Sequence, residues 1–68
     1  MPGTYKKIEV VGVSPVSFSE AVKAAIADAS KTVRHLAWFE VVEQRGNIKD
    51  EKVAEYQVVL KIGFKIEQ

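Results

Sequence analysis

Apolar and polar residues change rhythm along this 68-residue chain, and each rhythm predicts one kind of element. From Tyr5 to Ser14 (YKKIEVVGVS) the residues are β-rich and free of proline, with Ile8 and Val10 on one face and Lys7, Glu9, Val11 and Val13 on the other. This is a first strand, and Ser14-Pro15 ends it because proline offers no N–H to a ladder. Ser17-Phe18-Ser19-Glu20 has the spacing of a capping box, in which the Ser17 hydroxyl accepts from the N–H near Glu20 and the Glu20 carboxylate reaches back. Phe18, Val22, Ala25, Ile26, Ala29 and Val33 then trace one stripe of a helix, opposite Glu20, Lys23, Ala24, Ala27, Asp28 and Lys31. The helix is expected to end near Thr32 to Arg34, with Lys31 and Arg34 beside its negative end.

Leu36 to Arg45 (LAWFEVVEQR) predicts a second strand terminated by Gly46-Asn47, and Lys49-Asp50-Glu51-Lys52 reads as a solvated loop. The longest signal follows. From Val53 to Gln68, the residues Ala54, Tyr56, Val58, Leu60, Ile62, Phe64 and Ile66 alternate with Val53, Glu55, Gln57, Val59, Lys61, Gly63, Lys65 and Glu67, as in one long half-buried strand. The order is β-α-β-β in an α+β domain: the helical crossover sets the first two strands parallel, and the last, most regular strand sits between them in a three-stranded antiparallel sheet. The helix is expected to cover the face carrying Ile8, Val10, Phe39, Val41, Tyr56, Val58, Leu60, Ile62 and Phe64.

Size makes this arrangement marginal. A single domain of about this length buries only about 60% of its unfolded surface, and the chain has no cysteine for a disulfide and one histidine, His35, for a metal. Oligomerisation is the remaining common way to stabilise it, and a hydrophobic content of 47% suits that route. Net charge is +1 with no basic stripe, which argues against nucleic-acid binding. No apolar run approaches the ~20 residues that cross a bilayer, and the opening residues lack a signal-peptide core, so a cytoplasmic location is expected. Enzyme chemistry has little support without a nucleophile and base set or a Gly-rich phosphate loop.

Strict alternation places Trp38, Glu40, Val42 and Gln44 on the face away from the helix, with Gln57, Val59 and Gly63. A bare tryptophan there leaves about 150 to 250 Å² to be covered, roughly 4 to 6 kcal/mol. Two readings remain open: Trp38 packs between subunits, or it is a stacking platform for a flat ligand whose edge meets the Gln57 amide. Arg45 can pair with a phosphate. Gly63 marks a bulge or a close approach, and His35 reads as a packed residue or helix-end cation.

Lys31-Thr32-Val33-Arg34-His35-Leu36-Ala37-Trp38-Phe39-Glu40-Val41, then Gln44-Arg45-Gly46, Glu55-Tyr56-Gln57-Val58-Val59-Leu60 and Gly63-Phe64, resemble the dodecins, small flavin-binding proteins of bacteria and archaea. Tyr5-Lys6-Lys7-Ile8-Glu9-Val10-Val11-Gly12 extends the likeness over essentially the whole chain. The resemblance implies one domain over residues 1–68, assembled into a hollow homo-dodecamer, with pairs of flavins between pairs of tryptophans and a role in flavin storage and photoprotection. It implies Trp38 as the platform, Gln57 at the isoalloxazine edge and Arg45 at the phosphate of FMN, with riboflavin the alternative ligand. The resemblance also places Ala37, Gly63 and Lys65 along the same site. Some bacterial members also bind coenzyme A, and for that ligand the likeness falls on Tyr5, Lys6, Thr32 and Arg34. Two departures stand out: Ala37 replaces an aspartate common before the tryptophan, and Lys65 replaces a common arginine, keeping the charge without the planar fork. The competing expectation is an oligomeric scaffold or interaction module without bound flavin.

Overall fold

The computed structural model describes residues 3–66, and its elements run β1 (Tyr5–Ser14), α1 (Phe18–Ala29), β2 (Leu36–Lys49) and β3 (Lys52–Lys65). β1 has the expected limits. Its last residue, Ser14, is buried and its hydroxyl accepts from the Val16 N–H at 3.0 Å, which turns the chain toward the helix. The Ser17 hydroxyl accepts from the Glu20 N–H at 3.0 Å, so the expected N-cap forms. The reciprocal half of the box does not: the Glu20 carboxylate pairs with Lys23 at 3.5 Å.

The helix stops at Ala29, earlier than the apolar stripe suggested. Ser30 explains the early stop. Its hydroxyl donates to the Ala27 carbonyl at 2.7 Å, an alternative to continued helix, and the Lys31, Thr32 and Val33 N–H groups fold back onto the Asp28 and Ala29 carbonyls. Lys31 and Arg34 therefore lie beyond the helix rather than in its last turn, and Lys31 pairs with Asp28 at 3.2 Å. His35 takes a positive φ of 63° and redirects the chain into β2.

The sheet has the order β1-β3-β2 with both pairings antiparallel, as expected. The β2–β3 connection differs. Gly46-Asn47 does not end β2, which runs on to Lys49, and the expected four-residue loop is a tight turn at Asp50 and Glu51, with φ of 53° and 65°. Positive φ at both positions gives the twist that joins antiparallel strands directly. β3 ends at Lys65; the expected continuation includes residues 67 and 68, which lie outside the described residues.

Core packing is one-sided. Ala21 and Ala25 of α1 meet Val58, Leu60 and Ile62 of β3, with Ile8, Val10, Phe18, Val22, Ile26, Ala29 and Leu36 around them. Gly12 lets the helix come this close, because a Cβ there would collide with the Ala21 carbonyl and the Ala25 methyl. The helix thus rests on β1 and β3, and β2 contributes only Leu36 to the core. Phe39 and Val41, expected under the helix, are 48% and 45% exposed. The far half of the β2–β3 hairpin extends past the helix altogether, leaving Ile48 77% exposed. The molecule measures 50 × 20 × 13 Å with a radius of gyration of 13.9 Å, against about 11 Å for a compact domain of this length. The extended hairpin and uncovered apolar face explain the difference.

Candidate functional site

Three irregularities in the β2–β3 pairing, between Leu36 and Trp38, Val41 and Glu43, and Asn47 and Ile48, decide which side chains share a face. The first two each insert one unpaired residue into β2 and shift its alternation, and at the third the unpaired residue is Ala54 of β3. Ala37 is the first such residue, so Trp38 pairs with Gly63. Val42 is the second. Beyond it Glu43, Arg45 and Asn47 pair with Val59, Gln57 and Glu55, all on the face away from the helix, while Gln44 pairs with Val58 on the helix side. Gln44 is therefore not beside Trp38, as simple alternation predicted. Arg45 reaches the Trp38 face only because of the bulge.

At one end of this face the Trp38 indole lies on Gly63, where even a methyl group would strike the ring. Tyr5 packs beside it, with centroids 5.3 Å apart and planes inclined at 54°. The indole Nε1 donates to Glu40 Oε2 at 3.0 Å, and Lys7 Nζ donates to the same oxygen at 3.0 Å and to Oε1 at 3.3 Å. The Trp38 hydrogen bond, then the Lys7 ammonium, hold the Glu40 carboxyl below the usual carboxylate range. Trp38 remains 41% exposed, so the ring is supported and oriented yet open to a ligand. Lys65 pairs with Tyr5 at this end.

The other end carries a polar chain. Arg45 Nε donates to Gln57 Oε1 at 2.7 Å, and Gln57 Nε2 donates to Glu55 Oε2 at 2.8 Å. Asn47 donates to the same Glu55 oxygen at 3.1 Å, and Arg45 also pairs with Glu43 at 3.4 Å. The structure thus brings Arg45 and Gln57 together and keeps both far from Trp38. Gly63 and Gln57 are six residues apart on β3, or about 20 Å along a strand. One flat ligand cannot stack on Trp38 and meet Gln57 of the same chain.

The four residues expected at coenzyme A also divide. Lys6 lies on the helix side, paired with Phe64, and Leu36 flanks Phe64 from β2, so Lys6 and the Thr32 to Arg34 segment share one end of the sheet. Tyr5 points to the opposite face, against Trp38. Sequence reasoning placed Glu40 beside Trp38 without a role and gave none to Lys7, Glu43 or Glu55. The Trp-x-Glu spacing was the available signal for Glu40, since alternate strand residues share a face. Among the described residues no group of three or more His, Cys, Asp or Glu side chains could hold a metal, and no helix is long and apolar enough to cross a membrane.

The family model for dodecin matches residues 4–67. A curated dodecin from Thermus thermophilus is 53% identical over 68 residues, covering 100% of this chain and 99% of its own. A crystal structure of a Thermus thermophilus protein superposes with a TM-score of 0.94 at 52% identity, covering 98% of each chain. The dodecin of Streptomyces coelicolor gives 0.93 at 51% identity, covering 96% of this chain and 93% of its own.

Proposed function

The chain belongs to the dodecin family, and we propose that it binds a flavin, FMN or riboflavin, within an assembly of identical copies and stores it shielded from photochemistry. The observation that carries this reading is the Trp38 indole: backed by Gly63, flanked by Tyr5, tethered to Glu40 and still 41% exposed. A flat aromatic ligand on the open face would cover it.

The separation of about 20 Å between Trp38 and the Arg45–Gln57 pair requires the site to combine different copies. Trp38 of one chain stacks on the ring system, and Gln57 and Arg45 of another meet its polar edge and phosphate. Ala37 and Lys65 sit around the platform, and Gly63 is its floor. The elongated protomer and the exposed Phe39 and Val41 support self-assembly independently of any ligand. A dodecameric shell is the assembly the family name suggests. When bound, the flavin supplies light absorption and redox capacity, and the indole lying against it takes away the excitation.

Coenzyme A is the weaker second ligand. Lys6 and the segment of Thr32 and Arg34 that leads into β2 lie toward one end of the sheet, where they could meet its phosphates, whereas Tyr5 belongs to the Trp38 cluster. The scaffold reading keeps one supporting fact, the apolar β2 face, which needs covering whether or not flavin binds. Trp38→Ala separates the two. Loss of riboflavin affinity by about 1 to 3 kcal/mol, with the assembly mass unchanged, supports the flavin site. Loss of assembly with no flavin binding in the wild type supports the scaffold.

A further inference from the structure

We propose that Glu40 is the positioning residue of the platform, whose carboxylate orients the Trp38 indole and makes it a stronger one-electron donor to a flat oxidant stacked on its open face. This inference rests on the flavin reading for its oxidant, but its structural basis lies in this chain alone.

Trp38 and Glu40 lie between the irregularities at Ala37 and Val42, where alternation is undisturbed and both side chains share a face. An indole has one N–H and no acceptor, and water at a half-exposed site would satisfy it. Here it meets a carboxylate oxygen at 3.0 Å. That oxygen also accepts from Lys7 of β1, while Lys61 of β3 pairs with Glu40 on one side and Glu9 of β1 on the other. The group is thus held as an anion, its pKa lowered first by the Trp38 hydrogen bond and then by Lys7.

Geometry and charge then act together. Gly63 beneath the ring, Tyr5 at its side and Glu40 at its nitrogen restrain the indole on three sides. When the indole gives one electron to a photoexcited isoalloxazine, the ring becomes positive and its N–H more acidic. A fixed carboxylate stabilises that charge and strengthens the hydrogen bond. The electron then returns to the indole, the proton stays with or returns to Nε1, and nothing is consumed. Because Glu40 is exposed, solvent limits the effect to a few-fold change.

Trp38 is the only tryptophan, so its signals are unambiguous. The test compares wild type, Glu40→Gln and Lys7→Met in two measurements: the excited-state lifetime of bound riboflavin, and voltammetry of the ligand-free protein, where the wave abolished by Trp38→Phe identifies the indole. Glu40→Gln keeps an acceptor for the N–H and removes the charge, so the lifetime should lengthen about fivefold, the difference between a charged and a neutral acceptor, and the wave should move to higher potential. Lys7→Met removes the competing cation and should shift both in the opposite direction. This reversal of sign would not come from a merely structural role. An unchanged lifetime and potential in both variants would overturn the inference. If the wild type binds no riboflavin, the flavin reading fails, and voltammetry alone decides the role of Glu40: opposite shifts sustain it, and unshifted waves overturn it.

Discussion

Gly63→Ala tests the platform without substituting the tryptophan. The added methyl would land on the six-membered ring of Trp38. Gly63 has no positive φ, so alanine is acceptable to the backbone and should gain about 0.5 to 1 kcal/mol over glycine in a strand. Overpacking against the ring costs about 1 to 3 kcal/mol, leaving a net loss of about 0 to 2.5 kcal/mol. Because Trp38 is 41% exposed, the ring can relieve the clash by lifting away. Fold stability should change little while the stacking surface is lost. Losing that surface costs about 1 to 3 kcal/mol of ligand affinity, or about 5- to 150-fold. Trp38 emission should shift to the red in the free protein, urea unfolding should stay near wild type, and riboflavin titration should show the weaker binding. Wild-type emission together with wild-type affinity would refute the account of Gly63 as the floor of the site.

Gly12→Ala should be more damaging, because its methyl meets the backbone carbonyl of Ala21 rather than a movable side chain; a loss of at least about 2 kcal/mol in urea unfolding is expected, and a neutral result would contradict the close helix–strand contact. Arg45→Ala should remove any preference for FMN over riboflavin, worth about 0 to 1 kcal/mol at an exposed pair, because the guanidinium is already shared by Gln57 and Glu43; equal weakening of both ligands would place Arg45 in the fold or the assembly. Glu40 has a lowered pKa in the folded state, so its contribution to stability is present above the ordinary carboxylate pKa and is lost as pH falls through the depressed value. A pH titration of Trp38 emission should show that step below the usual carboxylate range with Lys7 and Lys61 facing the group, and Glu40→Gln should abolish it.

Strong local chemistry made much of this fold legible. Pro15 and Ser14 marked the end of β1, Ser17 marked the helix start, and the alternation from Ala54 to Phe64 identified the central strand. What escaped has specific causes. The turn at Asp50 and Glu51 lacks the glycine that usually announces positive φ. The Ser30 hydroxyl competes with the helix where the apolar stripe continues to Val33. Nothing in the alternation of β2 reveals the unpaired residues at Ala37 and Val42, yet Val42 determines that Arg45 and not Gln44 shares a face with Trp38. The candidate site residues were recognisable by type and spacing, but the distance between Trp38 and Gln57 depends on their registers on β3. Phe39 and Val41 looked like core because a single helix was assigned a whole sheet face, whereas it covers only β1 and β3.

The most direct test is titration of FMN fluorescence with the purified protein, read together with the stoichiometry at saturation. The account predicts that emission is quenched as protein is added and that about one flavin binds per chain, each lying against one Trp38. Unquenched FMN emission at micromolar protein in excess would contradict it.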